Sequence, residues 1–249
     1  MDGPRSLDRY RGSLMLVHSK SNEGALLLDG APPGYPLGHP VDGQEHVPCL
    51  ARVARLGVPE ALCAFNDLGR VADPVLTGLH FFRDDADLLP IIKRPLDYLA
   101  RFADFRVLLT PDITIGDGMP PWQRARAVVM SRMAGVVWQT HGLAVVPTLR
   151  WRNKHDYDNV AAGIEQGSIV AVANYGSRRD AELKWEFARG LAEMVERLNP
   201  ECIMVYGRVH RRPFKELAKR TEFVEYKSPI EASRPTRSPV AFPGQPMIF

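Results

Sequence analysis

Acidic, basic and aromatic residues that can take part in chemistry follow a series of short apolar runs in the sequence. The set consists of Asp84, Asp85, Asp112, Asp117, Arg150, Trp151, Asn174, Tyr175 and Tyr206. Arginine presents a planar pair of donors that fits a phosphate, and tryptophan or tyrosine presents a ring face on which a base can stack. We therefore predict that Asp84, Asp112 and Asp117 are catalytic and that the other six residues bind substrate.

The carboxylates of this set admit two roles. Adjacent acids such as Asp84 and Asp85 can bind a divalent cation such as Mg²⁺, and acids beside an arginine can support metal-assisted phosphodiester cleavage or glycosidic cleavage. Aspartate is also favoured at helix starts and in turns, so the same residues can be structural. In that case Asp112 caps a turn and pairs with Arg150, and Trp151 packs in the core. Both interpretations stay open at the level of the sequence.

The sequence of residues 107–151 predicts a β-α-β unit. This unit would position Asp112, Asp117, Arg150 and Trp151. The first apolar run ends at Pro111, because proline cannot donate to a sheet and interrupts a central strand. The prolines at 120–121 are favourable at the start of a helix, where a missing N–H costs nothing. A second apolar run at 143–147 predicts the next strand, and the intervening helix is the crossover that a parallel pair requires.

The helix of this unit has apolar residues at three- and four-residue spacing, which predicts one buried face. They are Trp122, Ala125, Val129, Met133, Val136 and Val137. Arg124, Arg126 and Arg132 are predicted to lie largely outside that face.

Apolar runs alternate with helical segments from residue 79 to residue 226, and this pattern predicts an α/β fold with a mostly parallel sheet and helices on both faces. An incomplete or distorted (β/α) barrel and an open doubly wound sheet are both compatible with it. In either architecture the loops at the carboxyl ends of the strands gather polar residues on one rim. We predict a single α/β domain at 48–227, preceded by an arm and a Pro/Gly-rich connector at 1–47 and followed by a Pro-rich basic tail at 228–249.

The composition excludes several classes of protein. The chain has 249 residues, 45% of them hydrophobic, which is enough for one large core. The formal net charge of +3 is too small to indicate nucleic-acid binding by itself. Three cysteines at unrelated spacings fit neither a disulfide framework nor a zinc site, and no apolar run has the length of a membrane span. These features predict a cytoplasmic protein without a membrane association.

Five motifs together give the chain a resemblance to a known family. They are FFRDD at 81–85, TPDITIGDGMP at 110–120, VVPTLRW at 145–151, GSIVAV at 167–172 and VYG at 205–207. In these motifs the chain resembles domain-of-unknown-function family 4417, which is met in phages, plasmids and bacterial genomes. The resemblance covers about residues 79 to 226 and implies a phage or mobile-element setting, with the cytoplasm of the bacterial host as the location. It carries no known reaction.

Two functions are compatible with the sequence. The first is an enzyme that acts on a nucleotide, a nucleic acid or a sugar-phosphate through strand-end carboxylates and Arg150. The second is a non-catalytic phage accessory protein that binds DNA or a host protein through its basic C-terminal portion. Residues 207–249 contain nine Lys or Arg and four Glu, which is about +5 and exceeds the net charge of the whole chain. The oligomeric state is left open by both.

Overall fold

The computed structural model describes residues 30–53, 57–174, 181–209 and 211–227. Three predicted features lie outside these residues: the first part of the N-terminal arm, Tyr175 and the C-terminal tail at 228–249. The described chain first forms an antiparallel pair of two-residue strands, β1 (Val41–Asp42) and β2 (Val47–Pro48). Val47 is fully buried in a main core cluster, so part of the predicted connector packs onto the domain. The domain boundaries after residues 47 and 227 stay predictions.

Parallel strands make up the body of the fold. In the described part of the chain they are β3 (Ala61–Ala64), β4 (Thr77–His80), β5 (Val107–Leu109), β6 (Val145–Val146), β7 (Val170–Ala173), β8 (Cys202–Tyr206) and β9 (Glu222–Tyr226). Strands β3 to β6 form one sheet and β7 to β9 form a second, and every strand pairs with its neighbours in chain order. The predicted α/β class with a mostly parallel arrangement is confirmed.

Helices connect and flank these strands. They are α1 (Asp85–Lys93), α2 (Leu99–Phe102), α3 (Pro121–Thr140), α4 (Tyr157–Ala161), α5 (Ala181–Leu198) and α6 (Arg211–Leu217). Short 3₁₀ segments lie at Leu68–Arg70, Pro74–Leu76, Pro95–Tyr98 and Lys154–Asp156. No helix within the described ranges combines the length and the apolar character needed to cross a membrane.

The two sheets meet just beyond β6, so the strand order continues without interruption. The Leu149 N–H donates to the Ala171 carbonyl at 2.8 Å, and the Ala171 N–H donates to the Pro147 carbonyl at 2.9 Å. A doubly wound sheet reverses its strand order at a switch point, and the order from β3 to β9 has no such reversal. Sequential parallel order is instead the order of a (β/α) barrel.

Alternate side chains of the strands face a common interior. Val107 and Leu109 belong to the same buried cluster as Met204 and Tyr226 from the last two strands, whereas Leu108 packs outward in a cluster with helix α3. This two-residue alternation is what a curved strand with an interior face and a helix face requires. In the ranges that the structure describes, no ladder joins β3 to β9, so the barrel is incomplete. The Tyr226 hydroxyl donates to the carbonyl of Pro59 at 2.7 Å and links the two edges.

Two predictions from the spacing of apolar residues in helix α3 were wrong. Trp122 was predicted to be buried, yet it is 59% exposed, because the first turn of the helix carries it toward solvent at the end where the strands finish. Arg132 was predicted to lie outside the buried face, yet it is 1% exposed. Its guanidinium reaches backbone carbonyls under the helix, and those acceptors stabilise a charge that the sequence pattern assigns to the surface.

Candidate functional site

Two neighbouring strand ends bring Asp112 and Arg150 together. Each residue follows its strand after a threonine, and Thr110 and Thr148 bond to one another across β5 and β6. Because parallel strands deliver their carboxyl ends to the same rim, the residues two positions farther on also meet. Arg150 Nη1 donates to Asp112 Oδ2 at 2.6 Å, a short charge-assisted hydrogen bond.

The two side chains of the ion pair differ in their exposure to solvent. The Asp112 side chain is 5% exposed, whereas the Arg150 side chain is 38% exposed. Burial raises the pKa of the Asp112 carboxyl, Arg150 opposes that rise by charge and hydrogen bond, and the negative charge of Asp85 adds to it. The protonation state of Asp112 therefore depends on what Arg150 contacts, and Arg150 is accessible to a ligand.

A cavity of about 260 Å³ adjoins this pair. Its charged lining residues are Asp112, Arg150, Arg152 and Glu186, and its apolar walls include Ile115, Leu149, Trp151, Leu183 and Phe187. Loops after β5 and β6 supply one side, and helix α5 supplies the other. A concave site with apolar walls and a few convergent charges at the strand ends is the usual form of a small-molecule site in parallel α/β proteins.

Asp117 does not line the cavity but forms an ion pair with Arg152, which does. Arg152 Nε donates to Asp117 Oδ1 at 2.6 Å, and Arg152 Nη2 donates to Glu182 Oε1 at 3.3 Å. The hydrogen bond from Arg152 lowers the pKa of Asp117, whose side chain is 75% exposed. An exposed carboxylate held ionised by arginine suits charge compensation better than proton donation.

Asp84 and Asp85 lie at the start of helix α1. Asp84 occupies the N-cap position without a side-chain capping bond, and both residues are exposed. Asp85 Oδ1 accepts from the Thr114 N–H at 3.0 Å, which ties the loop after β4 to the loop that carries Asp112. Asp84 is not among the residues that line the cavity.

The predicted aromatic and amide residues occupy different environments. Trp151 lines the cavity, but its indole N–H donates to the Glu186 carbonyl at 3.1 Å and its ring stacks on Phe187 at 5.7 Å. Asn174 is buried and its side-chain amide donates to the carbonyl of Arg208. Tyr206 is buried in the barrel interior, where its ring stacks on Phe82 at 4.8 Å. Tyr175 lies outside the described residues.

Two charged residues of this region, Glu186 and Arg132, are not among the predicted site residues. Glu186 lies on the same face of α5 as Leu183 and Phe187. A carboxylate among the apolar residues of one helix face is the feature of the sequence that could have identified it as a site residue. Arg132 had no such signal, because its position on α3 looked polar. Across the described residues, no group of three or more His, Cys, Asp or Glu side chains is arranged to hold a metal ion.

The chain is similar to proteins of mycobacteriophages. It is 31% identical over 172 residues to the Gene 1 protein of Mycobacterium phage L5, covering 68% of this chain and 75% of that protein. It is 30% identical over 171 residues to the Gene 1 protein of Mycobacterium phage D29, covering 68% of this chain and 63% of that protein. No solved structure matches the chain at a significant level. The family described as Domain of unknown function (DUF4417) matches residues 39–227, and the chain belongs to this family.

Proposed function

We propose that the protein is an enzyme that hydrolyses a small phosphate-bearing substrate, a nucleotide or a sugar-phosphate, in the cavity at the strand ends. Arg150 binds the phosphate and Asp112 transfers the proton. The observation that carries the proposal is the buried Asp112 carboxyl bonded at 2.6 Å to an arginine that remains open to the cavity. Buried carboxyls with a raised pKa beside a positive group are common at catalytic sites.

The ion pair couples substrate binding to protonation. A phosphate that binds Arg150 competes with Asp112 for the guanidinium, because both present oxygen pairs to the same donors. Asp112 then loses the interaction that holds its pKa down, while burial continues to raise it. The carboxyl takes up a proton and becomes a general acid at the moment the substrate is in place.

The proposed step is a hydrolysis in which Asp112 begins protonated. The bond to the leaving-group oxygen breaks, and that oxygen takes the Asp112 proton. Water adds its oxygen to the other fragment, and a proton of that water returns to the Asp112 carboxylate. The side chain is thus regenerated, and no other reactant is required.

The charges around the cavity favour a substrate with one localised anionic group. Arg150 and Arg152 are accompanied by Asp112, Glu186 and Asp117, so the rim is not a continuous positive surface. Long nucleic acids are held by rows of unpaired Lys and Arg along the phosphate backbone. The cavity suits a mononucleotide or a sugar-phosphate better, with the apolar walls beside the sugar or base.

Binding of DNA or a host protein through the basic C-terminal portion is a separate proposal. Within the described part of that portion, Arg220 forms an ion pair with Glu196. This ion pair offsets one positive charge of the C-terminal portion. Salt-dependent retention on DNA that disappears when residues 208–249 are removed would support this second function.

The test is turnover of a panel of nucleotides and sugar-phosphates by the full chain, with products resolved by mass spectrometry. Asp112→Asn is expected to lower kcat by about 100-fold or more, because a general acid contributes on that scale. The matched control is Asp104→Asn, since Asp104 is exposed and lies just before β5, at the end of the strand away from the cavity. Equal turnover by Asp112→Asn and wild-type protein would refute the proposal.

A further inference from the structure

Glu186 carries a carboxylate that nothing in the described residues fully satisfies. Its side chain is 14% exposed, and its Oε2 atom is buried without a hydrogen-bond partner in the described structure. The other oxygen, Oε1, lies 3.8 Å from Arg189 Nη1, which is longer than a hydrogen bond. Arg189 in turn lies over the ring of Trp185 at 4.3 Å, and neither of these two residues lines the cavity.

The position of Glu186 is set by its backbone. Trp151 Nε1 donates to the Glu186 carbonyl at 3.1 Å, and the Trp151 ring lies against Gly190 one turn farther along α5. This contact fixes the rotation of the helix relative to the strand-end loop. Glu186 therefore faces the cavity together with Leu183 and Phe187. Placing a partly buried carboxylate among apolar neighbours is unfavourable unless a donor meets it.

We propose that Glu186 recognises the hydroxyl groups of the substrate, and that the substrate is therefore a phosphorylated sugar such as the ribose phosphate part of a nucleotide. This inference rests on the proposed function, in which Arg150 takes the phosphate. An ionised carboxylate only accepts hydrogen bonds, and sugar hydroxyls are donors that complement it. Glu186 and Arg150 line the same cavity from opposite elements, so one ligand with an anionic end and a hydroxylated ring meets both.

A purely structural role for Glu186 makes a different prediction. The Tyr157 hydroxyl is also buried without a hydrogen-bond partner in the described residues. Burial raises the pKa of Tyr157, and the charge of Glu186 adds to that rise. If Glu186 served only to stabilise this region, replacing it would change the stability of the protein and would affect all phosphate ligands equally.

The test compares two ligands by isothermal titration calorimetry with the full chain. Ribose 5-phosphate carries ring hydroxyls, and tetrahydrofurfuryl phosphate has a similar ring without them. Wild-type protein is expected to bind ribose 5-phosphate about 10- to 100-fold more tightly, the range of a hydrogen bond to a charged group. Glu186→Leu is expected to abolish that preference and to bind tetrahydrofurfuryl phosphate at least as tightly as wild type, since a negative charge is removed.

Three further results complete the test. Glu186→Gln, which keeps the size of the side chain and one acceptor, is expected to retain only part of the preference. Arg150→Met is expected to weaken both ligands by similar factors. Equal binding of the two ligands by wild-type protein, or an undiminished preference in Glu186→Leu, would overturn the role of Glu186 and leave the phosphate site intact. Binding of neither ligand by wild-type protein would overturn both proposals.

Discussion

Thr148 donates two hydrogen bonds to Thr110 at the ends of adjacent parallel strands. The Thr148 N–H donates to Thr110 Oγ1 at 2.9 Å, and Thr148 Oγ1 donates to the Thr110 carbonyl at 2.7 Å. Arg132 Nη1 adds a bond to the Thr148 carbonyl at 3.1 Å. Since Asp112 and Arg150 each follow two residues later, this buried network sets the separation of the ion pair.

Thr110→Val is expected to lower the free energy of unfolding by about 1–3 kcal/mol, because it keeps the shape of the side chain and leaves the buried Thr148 N–H without an acceptor. Urea unfolding measures the change. The control is Thr140→Val, at an exposed position where the hydroxyl bonds only locally to the Val137 carbonyl and to the adjacent His141. A loss no larger in Thr110→Val than in Thr140→Val would contradict the proposed role of the network.

The meeting of Asp112 and Arg150 at one edge of the sheet was predictable, because the ends of the apolar runs can be located in the sequence. Each apolar run ends at a proline or a polar residue. Parallel strands place their carboxyl ends on one edge of the sheet, so Asp112 and Arg150 were expected to lie close together. The choice between a barrel and a doubly wound sheet was not predictable, because it depends on which strands pair. Strand β3 was also missed, since the glycines and prolines around Ala61–Ala64 conceal a four-residue run.

The charged residues under the rim escaped prediction for another reason. Periodicity separates apolar from polar positions, but it does not show which polar side chain turns inward to meet carbonyls. Arg132 does so, and its complete burial lowers the pKa of the guanidinium to about 9. Trp122 was misassigned because the helical pattern does not show that its first turn extends past the core.

Asp112→Asn is expected to stabilise the protein relative to wild type more at neutral than at acidic pH. Burial raises the pKa of Asp112 above its unfolded value, so the folded state binds the proton more tightly between these two values. Ionised Asp112 therefore lowers stability above that window, and asparagine avoids this loss. Urea unfolding from pH 4 to pH 8 measures the effect, with Asp104→Asn as the comparison. If the stability of Asp112→Asn relative to wild type decreased as the pH rises, the prediction would be refuted.

Arg150→Met is expected to destabilise the protein at pH 7, in contrast to Asp112→Asn, because it leaves a buried carboxylate without its counter-charge. The double variant is expected to recover part of that loss. We expect a coupling energy of about 1–2 kcal/mol, reduced from the value of a fully buried pair because Arg150 is partly exposed. A double-mutant cycle from urea unfolding measures it, and strictly additive effects would contradict a stabilising ion pair.

Gly190→Ala is expected to destabilise the protein by about 1–3 kcal/mol, although alanine normally stabilises a helix interior relative to glycine. A Cβ atom at residue 190 would come within 2.0 Å of Trp151 Nε1, so the indole would have to move from α5. Urea unfolding and tryptophan fluorescence report both changes. Gly69→Ala is the control, because its added Cβ meets nothing within 4 Å. An unchanged or increased stability of Gly190→Ala would show that Trp151 does not depend on this contact.

His80 is buried in the barrel interior beside the ring of Tyr206, with ring centroids 4.3 Å apart. Its Nδ1 accepts from the Phe82 N–H at 3.3 Å, which leaves the proton of the neutral ring on Nε2. Burial, with a smaller contribution from Arg83, lowers the pKa of His80 to about 3. The folded state therefore excludes a proton that the unfolded chain binds near its ordinary pKa of 6.5.

This difference predicts an acid-dependent loss of stability. Below pH 6.5 the unfolded state binds the His80 proton and the folded state does not, so stability falls as pH drops toward 3, by at most about 1.4 kcal/mol per unit. His80→Asn keeps an acceptor for the Phe82 N–H and does not titrate. We expect it to remove about 2 kcal/mol of the loss between pH 7 and pH 4.5 in urea unfolding. The same substitution at exposed His155 is the control, and an equal effect at both positions would contradict the role of burial.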